Sequence, residues 1–180
     1  MTTTDQVVLM AAYNEWMNTK LYEAAERVPT EDLARDRGAF FGSIIGTLNH
    51  LVVGDTIWLK RFAEHPSNPK ALDPVRALPQ PTALNEIVFA DLTRLAQRRK
   101  VIDAAIKAWA AALTQADLDH VLQYANTKGV KSQRRLGSLV MHFFNHQTHH
   151  RGQASTLLFQ AGQDVGVTDL LSLIPDESKA

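Results

Sequence analysis

The segment 139–153 contains four of the chain's seven histidines and has the spacing of one long helix. It has no Pro, its single Gly is near its end, and its apolar residues recur every three or four positions, as in an amphipathic helix. His146 and His150 are four residues apart, so their rings lie on one helix face about one turn from each other. Two imidazoles at this spacing can bind a single divalent metal.

The helical period divides these histidines into two pairs. At roughly 100° per residue, the apolar side chains share one arc, with His150 inside the arc and His146 on its edge. His142 and His149 fall outside the arc. We therefore predict that His146 and His150 face the core, and that the other two orient ligands or line a cleft. The alternative is four histidines with ordinary hydrogen-bond partners and no metal; for a cluster of this density we favour the metal.

Length and charge limit the class of protein. The 180 residues fit one domain spanning 1–180 that can bury a proper core. The 19 basic residues balance 19 acidic ones, so neither nucleic acid nor membrane is expected as a partner. The absence of Cys excludes disulfides and thiolate ligands. The N-terminal residues lack a signal-peptide pattern and no apolar run has the length of a membrane span, so we expect a cytoplasmic location.

Four long segments with helical spacing predict an all-α fold, a four-helix bundle. The predicted helices span 5–27 with Thr4 as N-cap, 43–64 with Ser43 as N-cap, 82–112, and 133–161 followed by Gly162. One helical turn is predicted at 30–33 and a short last helix at 168–174. The Pro-rich segment 65–81 is predicted to be a loop without regular helix. Before the last long helix, residues 118–132 predict a small hairpin or irregular excursion, with its turn at 126–129.

The second predicted helix carries a polar residue in its apolar seam. The seam consists of Ile44, Leu48, Leu51, Asp55, Trp58 and Phe62. A buried carboxylate needs a partner, so Asp55 is expected to meet a His, an Arg, a Trp N–H or a metal. His50 lies on the flank of this seam. It is the best candidate for a third metal ligand, because a metal site inside a bundle draws on facing helices. His65 and His120 remain competitors and are expected to be more exposed.

A run of basic residues marks the polar side of the third predicted helix: Arg94, Arg98, Arg99 and Lys100. Such a run could form an anion-binding patch. We favour a solvated helix face, which is the commoner arrangement for charges of this kind.

Three parts of the sequence resemble the DinB/YfiT-like family of metalloenzymes. They are the first-helix residues Tyr13, Asn14, Trp16 and Asn18, the segment 41–58, and the segment 145–153 with its histidines. The last is the most specific. The resemblance covers nearly the whole chain. It implies a four-helix bundle in which three histidines hold a metal, one from the second helix and two from the fourth at four-residue spacing. Carried over to this sequence, these are His50, His146 and His150.

The resemblance also implies partners and chemistry. Members of the family commonly form homodimers, so a homodimer is expected here. Some members are metal-dependent thiol transferases or isomerases that use a low-molecular-weight thiol, which would then be a second cofactor or co-substrate. Others have no established activity.

Three imidazole ligands leave metal positions open, as in catalytic sites. One divalent metal per chain is expected, and Zn²⁺, Ni²⁺, Fe²⁺ and Mn²⁺ all suit imidazole. The residue after His146 is Gln147 rather than Glu, so no general base is built in between the ligands. Candidates for orienting the ligands or moving protons are Asp55, Asn145, His142, His149 and Tyr13, with Asp55 and Asn145 favoured as orienting groups.

These observations predict a metal-dependent enzyme acting on a small molecule, as a transferase, isomerase or hydrolase, and the resemblance implies thiol S-transfer as one such reaction. The absence of a built-in base motivates an alternative, a non-catalytic metal-binding or stress-associated bundle. A third interpretation is a structural dimerisation module in which the histidines only pack.

Overall fold

The computed structural model describes residues 2–126 and 128–179 and is dominated by four long helices. The α-helices are α1 (Thr3–Ala25), α2 (Thr30–Ala34), α3 (Ile44–Ala63), α4 (Asp73–Arg76), α5 (Leu92–Ala112), α6 (Gln115–Asp119) and α7 (Leu136–Gln160). Two strands, β1 (Val121–Ala125) and β2 (Lys131–Arg135), form an antiparallel hairpin just before α7. The predicted all-α bundle with a hairpin before the last long helix is confirmed.

The four long helices enclose one core. Both α1 and α3 pack against α5 and α7. In the core, the ring of Phe62 stacks on Trp109, with centroids 5.1 Å apart, and meets the edge of Phe143. Burying an aromatic or aliphatic side chain of this size contributes about 1.5–3 kcal/mol. Within the described residues, none of the helices has the length and apolar content needed to cross a bilayer.

Two helix ends lie where the sequence predicts them. The Ser43 hydroxyl accepts a hydrogen bond from the Gly46 amide and caps α3. After α7, Gly162 has φ +80°, which a residue with a side chain rarely adopts. The amide of Gln163 donates back to Leu158, so α7 ends in a Schellman motif.

The start of α1 differs slightly from the prediction. The N-cap is Thr2 rather than Thr4. Thr2 and Asp5 form a capping box, in which each side chain accepts a hydrogen bond from the other's backbone. Since the box satisfies two free amides at once, it outweighs a cap at Thr4.

The third long helix begins ten residues later than predicted. The prediction began at residue 82, but α5 begins at Leu92, where the Asp91 side chain accepts from the Arg94 amide. The apolar side chains that suggested an earlier start, Leu84 and Ile87, are about half exposed. Their spacing is that of a helix, but these side chains do not pack into the core. Residues 82–91, here called the 82–91 segment, are irregular instead, and this matters for the site.

The Pro-rich connection contains more helix than predicted. It forms a 3₁₀ turn at Lys70–Leu72 that leads into α4. Pro74 lies in the first turn of α4, where its missing N–H costs nothing. The predicted turn at 30–33 is confirmed as α2, whereas the predicted last helix at 168–174 is only a 3₁₀ turn, Leu170–Leu173.

The hairpin pairs Val121 with Arg135 and Ala125 with Lys131. Residues 133–135 therefore complete β2 rather than beginning the last helix. The predicted turn at 126–129 includes Thr127, which lies outside the described residues. The Asn126 side chain accepts hydrogen bonds from two backbone amides, that of Lys128 within the turn and that of Val130 just after it.

Candidate metal centre

Three histidines converge between α3 and α7. His50 is almost fully buried, and His146 and His150 are half-buried. The ring centroids lie 5.2 Å apart for His50 and His146, 4.3 Å for His50 and His150, and 4.4 Å for His146 and His150. One ring nitrogen from each lies within 4.8 Å of the other two. These three residues are called the triad below.

Hydrogen bonds on the outer side select the ring nitrogens that face inward. His50 Nδ1 lies 2.8 Å from the carbonyl oxygen of Leu84. A carbonyl oxygen can only accept, so the proton is on Nδ1 and Nε2 keeps its lone pair. His150 Nδ1 lies 2.7 Å from Gln153 Oε1, which fixes the same tautomer. Gln153 in turn donates through Nε2 to His149 Nε2, at 3.2 Å. His149 thus contacts the triad through Gln153.

The 82–91 segment is held in place from α3. The Asn49 side chain donates to the Phe89 carbonyl at 2.9 Å and accepts from the Phe89 amide at 3.0 Å. Asn49 is fully buried and precedes His50 in the chain. One turn of α3 therefore supplies a ligand candidate and the anchor for the segment that orients it.

Two further residues shape the space around the triad. Phe41, in the loop before α3, stacks on His50 with centroids 3.7 Å apart and an interplanar angle of 16°. Gly54 lies one turn after His50, and a Cβ added there would come within 3.0 Å of His146 Cε1. The absence of a side chain at position 54 gives the His146 ring its room.

Burial keeps the triad neutral. Burial, together with the neighbouring rings of His150 and His50, lowers the pKa of His146 to about 3. Burial also lowers the pKa of His50 and His150, against the opposing effects of their bonds to Leu84 and Gln153. Neutral imidazole is the form that binds metal.

The donor set fits a metal. His50 Nε2 and His146 Nε2 are 3.3 Å apart. Two nitrogens that each lie about 2.0–2.1 Å from one tetrahedral metal are separated by about 3.3–3.4 Å. Three neutral imidazoles, two of them with outer hydrogen-bond acceptors, are also the usual surroundings of protein-bound zinc and related metals. The triad could therefore hold one metal ion.

Comparison with protein families agrees with this arrangement. The model of the DinB family matches residues 1–178. The chain belongs to the DinB family. A curated relative, Protein DinB of Bacillus subtilis (strain 168), is 28% identical over 158 residues, which cover 87% of each chain. No solved structure matches the chain significantly.

Of the other site candidates in this DinB family chain, the histidines lie closest to the triad. The exposed His142 has its ring centroid 6.1 Å from that of His146. Tyr13 is buried elsewhere and donates through its hydroxyl to the Thr168 carbonyl at 2.6 Å. Asn145 is exposed and lines an apolar groove between α1 and α7. The hydrogen bonds described above orient His50 through Leu84 and His150 through Gln153, and the orienting role of Asn145 stays a prediction.

Asp55 has the kind of partner that the sequence predicts. Its Oδ2 accepts from Arg99 at 2.5 Å and its Oδ1 from Gln147 at 2.8 Å, all three residues being buried. Arg99 also pairs with Asp103 at 3.0 Å. Burial disfavours the charge of Arg99, but Asp103 and Asp55 outweigh it and raise its pKa. The interpretation of Arg99 as part of a solvated face is therefore wrong, because α5 turns it into the core.

The first helix joins this network through two asparagines. Asn14 and Asn18 both donate to Asp103 Oδ1 at 2.9 Å, and Asn14 accepts from Arg151 on α7. The network therefore connects the long helices beneath the triad. Sequence offered one signal for it: Arg99 shares a helix face with Leu95, Ile102 and Ile106.

The two competing histidines form a separate contact. His65 and His120 meet edge to face, with centroids 4.6 Å apart, and His65 Nδ1 lies 2.8 Å from the Ser67 hydroxyl. His65 is buried at 7% exposure and His120 is half-buried, so both are more exposed than His50 at 3%, as predicted, although His65 only slightly. His65 follows the C-terminal end of α3, and its Nδ1 lies 3.7 Å from Asp117 Oδ1 on α6. The structure does not bring either residue to the triad.

Proposed function

We propose that this protein is a metal-dependent enzyme acting on a small molecule, and that His50, His146 and His150 hold one divalent metal. The observation that carries the proposal is the convergence of three neutral imidazoles, two of which have their outer nitrogen bonded to an acceptor. Structural sites usually close the coordination shell with a fourth protein ligand, whereas catalytic sites leave a position free. Among the described residues, no other His, Asp or Glu joins the cluster.

A divalent metal in the triad would supply Lewis acidity at its free positions. The chain itself provides orientation and shielding. Leu84 and Gln153 fix two rings, Phe41 covers one face of His50, and Gly54 leaves room for His146. Zn²⁺, Ni²⁺, Fe²⁺ and Mn²⁺ all remain candidates for the site.

The reaction we favour is transfer to or from a low-molecular-weight thiol. Because the chain contains no Cys, the sulfur nucleophile must come from a co-substrate. His142 is the group best placed to accept a proton near the triad. Its side chain is largely exposed to solvent. The covered part of its ring, and secondly the positive charge of Arg61, lower its pKa and keep it neutral near pH 7.

A cytoplasmic location remains a prediction.

The second candidate is a metal-binding protein without turnover. It is favoured by one observation: both carboxylate oxygens of Asp55 are taken by Arg99 and Gln147, so this carboxylate is not free to act as a base at the triad. The two candidates share the metal and differ in catalysis.

The test has two stages. Metal content is measured on untagged protein, purified without added metal, for wild type, His146→Ala and the control His120→Ala. We expect about one metal per chain in the wild type and the control, and close to none in His146→Ala. Wild-type protein that stays folded without metal and refuses added Zn²⁺ and Ni²⁺ would contradict both candidates.

The second stage separates catalysis from storage. Metal-loaded protein is assayed with a panel of low-molecular-weight thiols and an activated aryl halide as acceptor. Turnover that is absent in His146→Ala supports the enzyme. In the wild type, turnover should be lost when the metal is removed and return when it is added back. Full metal loading with no turnover across thiols and acceptors supports the non-catalytic candidate.

A further inference from the structure

A second cavity lies beside the triad, at the end of α7 nearest the hairpin. It has a volume of about 430 Å³ and is lined by Trp58, Tyr124, Arg134, Ser138, Leu139 and His142. It is called the Trp58 cavity below. Its wall residue His142 is the neighbour of His146 described above, so a ligand in the cavity lies next to the metal candidates.

The cavity has aromatic walls. The ring centroid of Trp58 lies 5.5 Å from that of Tyr124 and 5.0 Å from that of His142. Flat rings on three sides favour a flat apolar body, which stacks against them. The hairpin contributes Tyr124, whose ring contacts Trp58 of α3.

The guanidinium of Arg61 lies beside the Trp58 cavity and lines a neighbouring cavity, which Glu64 also lines. The Arg61 guanidinium lies 4.6 Å from the Trp58 ring centroid and 5.3 Å from that of Tyr124. Within 2–126 and 128–179, no carboxylate lies at ion-pair distance from Arg61, although Glu64 follows one turn later. Burial lowers the pKa of Arg61.

A second guanidinium adds to the first. Arg134, on β2, lines the cavity directly, and the lining contains no Asp or Glu. Guanidinium groups that stack on aromatic rings keep their N–H donors free at the edge and bind planar anions well. The groove between α1 and α7 is larger, at about 460 Å³, but its lining has no charged residue.

We propose that the Trp58 cavity binds the anionic end of the substrate, a carboxylate or phosphate carried on a flat apolar body, through Arg134 in its wall and Arg61 stacked on its aromatic residues. The body packs against the rings of Trp58 and Tyr124, and the rest of the molecule points toward the triad. This inference rests on the proposed function, because it names the substrate class for that site.

The experiment measures binding of three probes by calorimetry: benzoate, phenyl phosphate and the neutral benzyl alcohol. Each is titrated into the metal-free and the metal-loaded full-length protein. Variants are Arg61→Gln, which removes the charge, and Arg61→Lys, which keeps it. The matched control is Arg98→Gln, since Arg98 also lies over an aromatic ring, at 5.3 Å from the Phe89 centroid, but that ring does not line the cavity.

We expect at least one anion to bind in both forms of the protein and benzyl alcohol to bind much more weakly. Arg61→Gln should weaken anion binding by about tenfold, Arg61→Lys by less, and Arg98→Gln should leave it unchanged. Whichever anion binds more tightly identifies the group, carboxylate or phosphate.

Three results overturn the inference: no anion binds, benzyl alcohol binds as well as the anions, or binding is insensitive to Arg61. Binding that requires the metal and does not change in the Arg61 variants also overturns the inference, because the anion is then a metal ligand. Since the metal-free protein is titrated separately, a triad that binds no metal leaves this test intact, and the two proposals can fail independently.

Discussion

The carbonyl oxygen of Leu84 accepts a hydrogen bond from Nδ1 of His50 at 2.8 Å. A residue in an irregular segment thus determines which nitrogen of a helical histidine faces the triad. Backbone carbonyls serve this purpose well, since they accept but never donate. The 82–91 segment lies outside any helix, so the Leu84 carbonyl is not used in a helical hydrogen bond and can accept from His50.

The anchor of that segment can be removed without touching the triad. Asn49→Ala deletes both hydrogen bonds to Phe89 and leaves the Phe89 amide without this partner. We expect a loss of about 1–3 kcal/mol of unfolding free energy and about tenfold weaker metal binding. Chemical denaturation and a competition titration with a metal chelator measure the two effects.

The control for that variant is Glu86→Gln. It changes the bonds to Thr82 within the same segment but not the anchor. Unchanged metal affinity in Asn49→Ala would mean that the segment does not position His50.

The close approach of Gly54 to His146 predicts a steric variant. Gly54→Ala places a methyl group 3.0 Å from His146 Cε1, so the ring must shift by several tenths of an ångström. We expect metal affinity to fall by about tenfold while the helix remains, since Ala favours helix over Gly by about 1 kcal/mol. Gly152→Ala on α7 meets nothing within 4 Å and should leave affinity unchanged. Equal affinities in the two variants would contradict the prediction.

The lowered pKa values predict how stability changes with pH in the metal-free protein. The His146 pKa is about 3 in the folded state against 6.5 for the ordinary side chain, so between these values the unfolded chain binds the extra proton. The contribution is therefore complete above pH 6.5 and is lost as pH falls toward 3, with a slope of up to about 1.4 kcal/mol per pH unit for each such group. Thermal unfolding followed between pH 7.5 and 5 should show a shallower decline for His146→Gln. Parallel curves for the two proteins would refute this.

The buried ion pairs predict a sharp contrast between neighbouring positions of α5. Arg99→Ala leaves the buried carboxylates of Asp55 and Asp103 without their cation and should cost about 3–5 kcal/mol. Lys100→Ala, on the exposed face, should change stability by less than about 1 kcal/mol. Urea denaturation compares the two, and a small effect at both positions would show that the network contributes little.

The homodimer expected from the family resemblance remains a prediction, and the groove between α1 and α7 is where we place the contact. Met141 lies in its lining and is 72% exposed. We expect light scattering to give twice the chain mass of 20.0 kDa for the wild type and close to that mass for Met141→Lys. Phe159→Ser, equally exposed on α7 but outside the groove, is the control. A monomeric wild type would refute the dimer, and a dimeric Met141→Lys would refute this placement.

Sequence periodicity was enough to choose the inward pair on α7. The angle between His146 and His150 follows from the helix, and the structure places both in the triad while His142 and His149 stay exposed. The addition of His50 depended on the family resemblance, because contacts between α3 and α7 join residues 96 positions apart.

Other parts of the site left no local signal in the sequence. Leu84 contributes only a backbone carbonyl, so no residue type marks its role, and Phe41 lies in a loop whose path depends on the whole bundle. Arg99 had a signal in its helix face, but the adjacent charges of Arg98 and Lys100 suggested solvent. The start of α5 was misplaced because spacing alone cannot tell a buried stripe from an exposed one.

The separation of the ligand candidates along the chain has a thermodynamic consequence. His50 and His146 belong to different helices, and an unfolded chain holds them far apart. A metal that binds both is a reversible tether across the bundle, so its binding energy adds to the energy of folding. The fraction of folded chains would then report the free metal concentration, and loss of metal would weaken the attachment of α3 to α7.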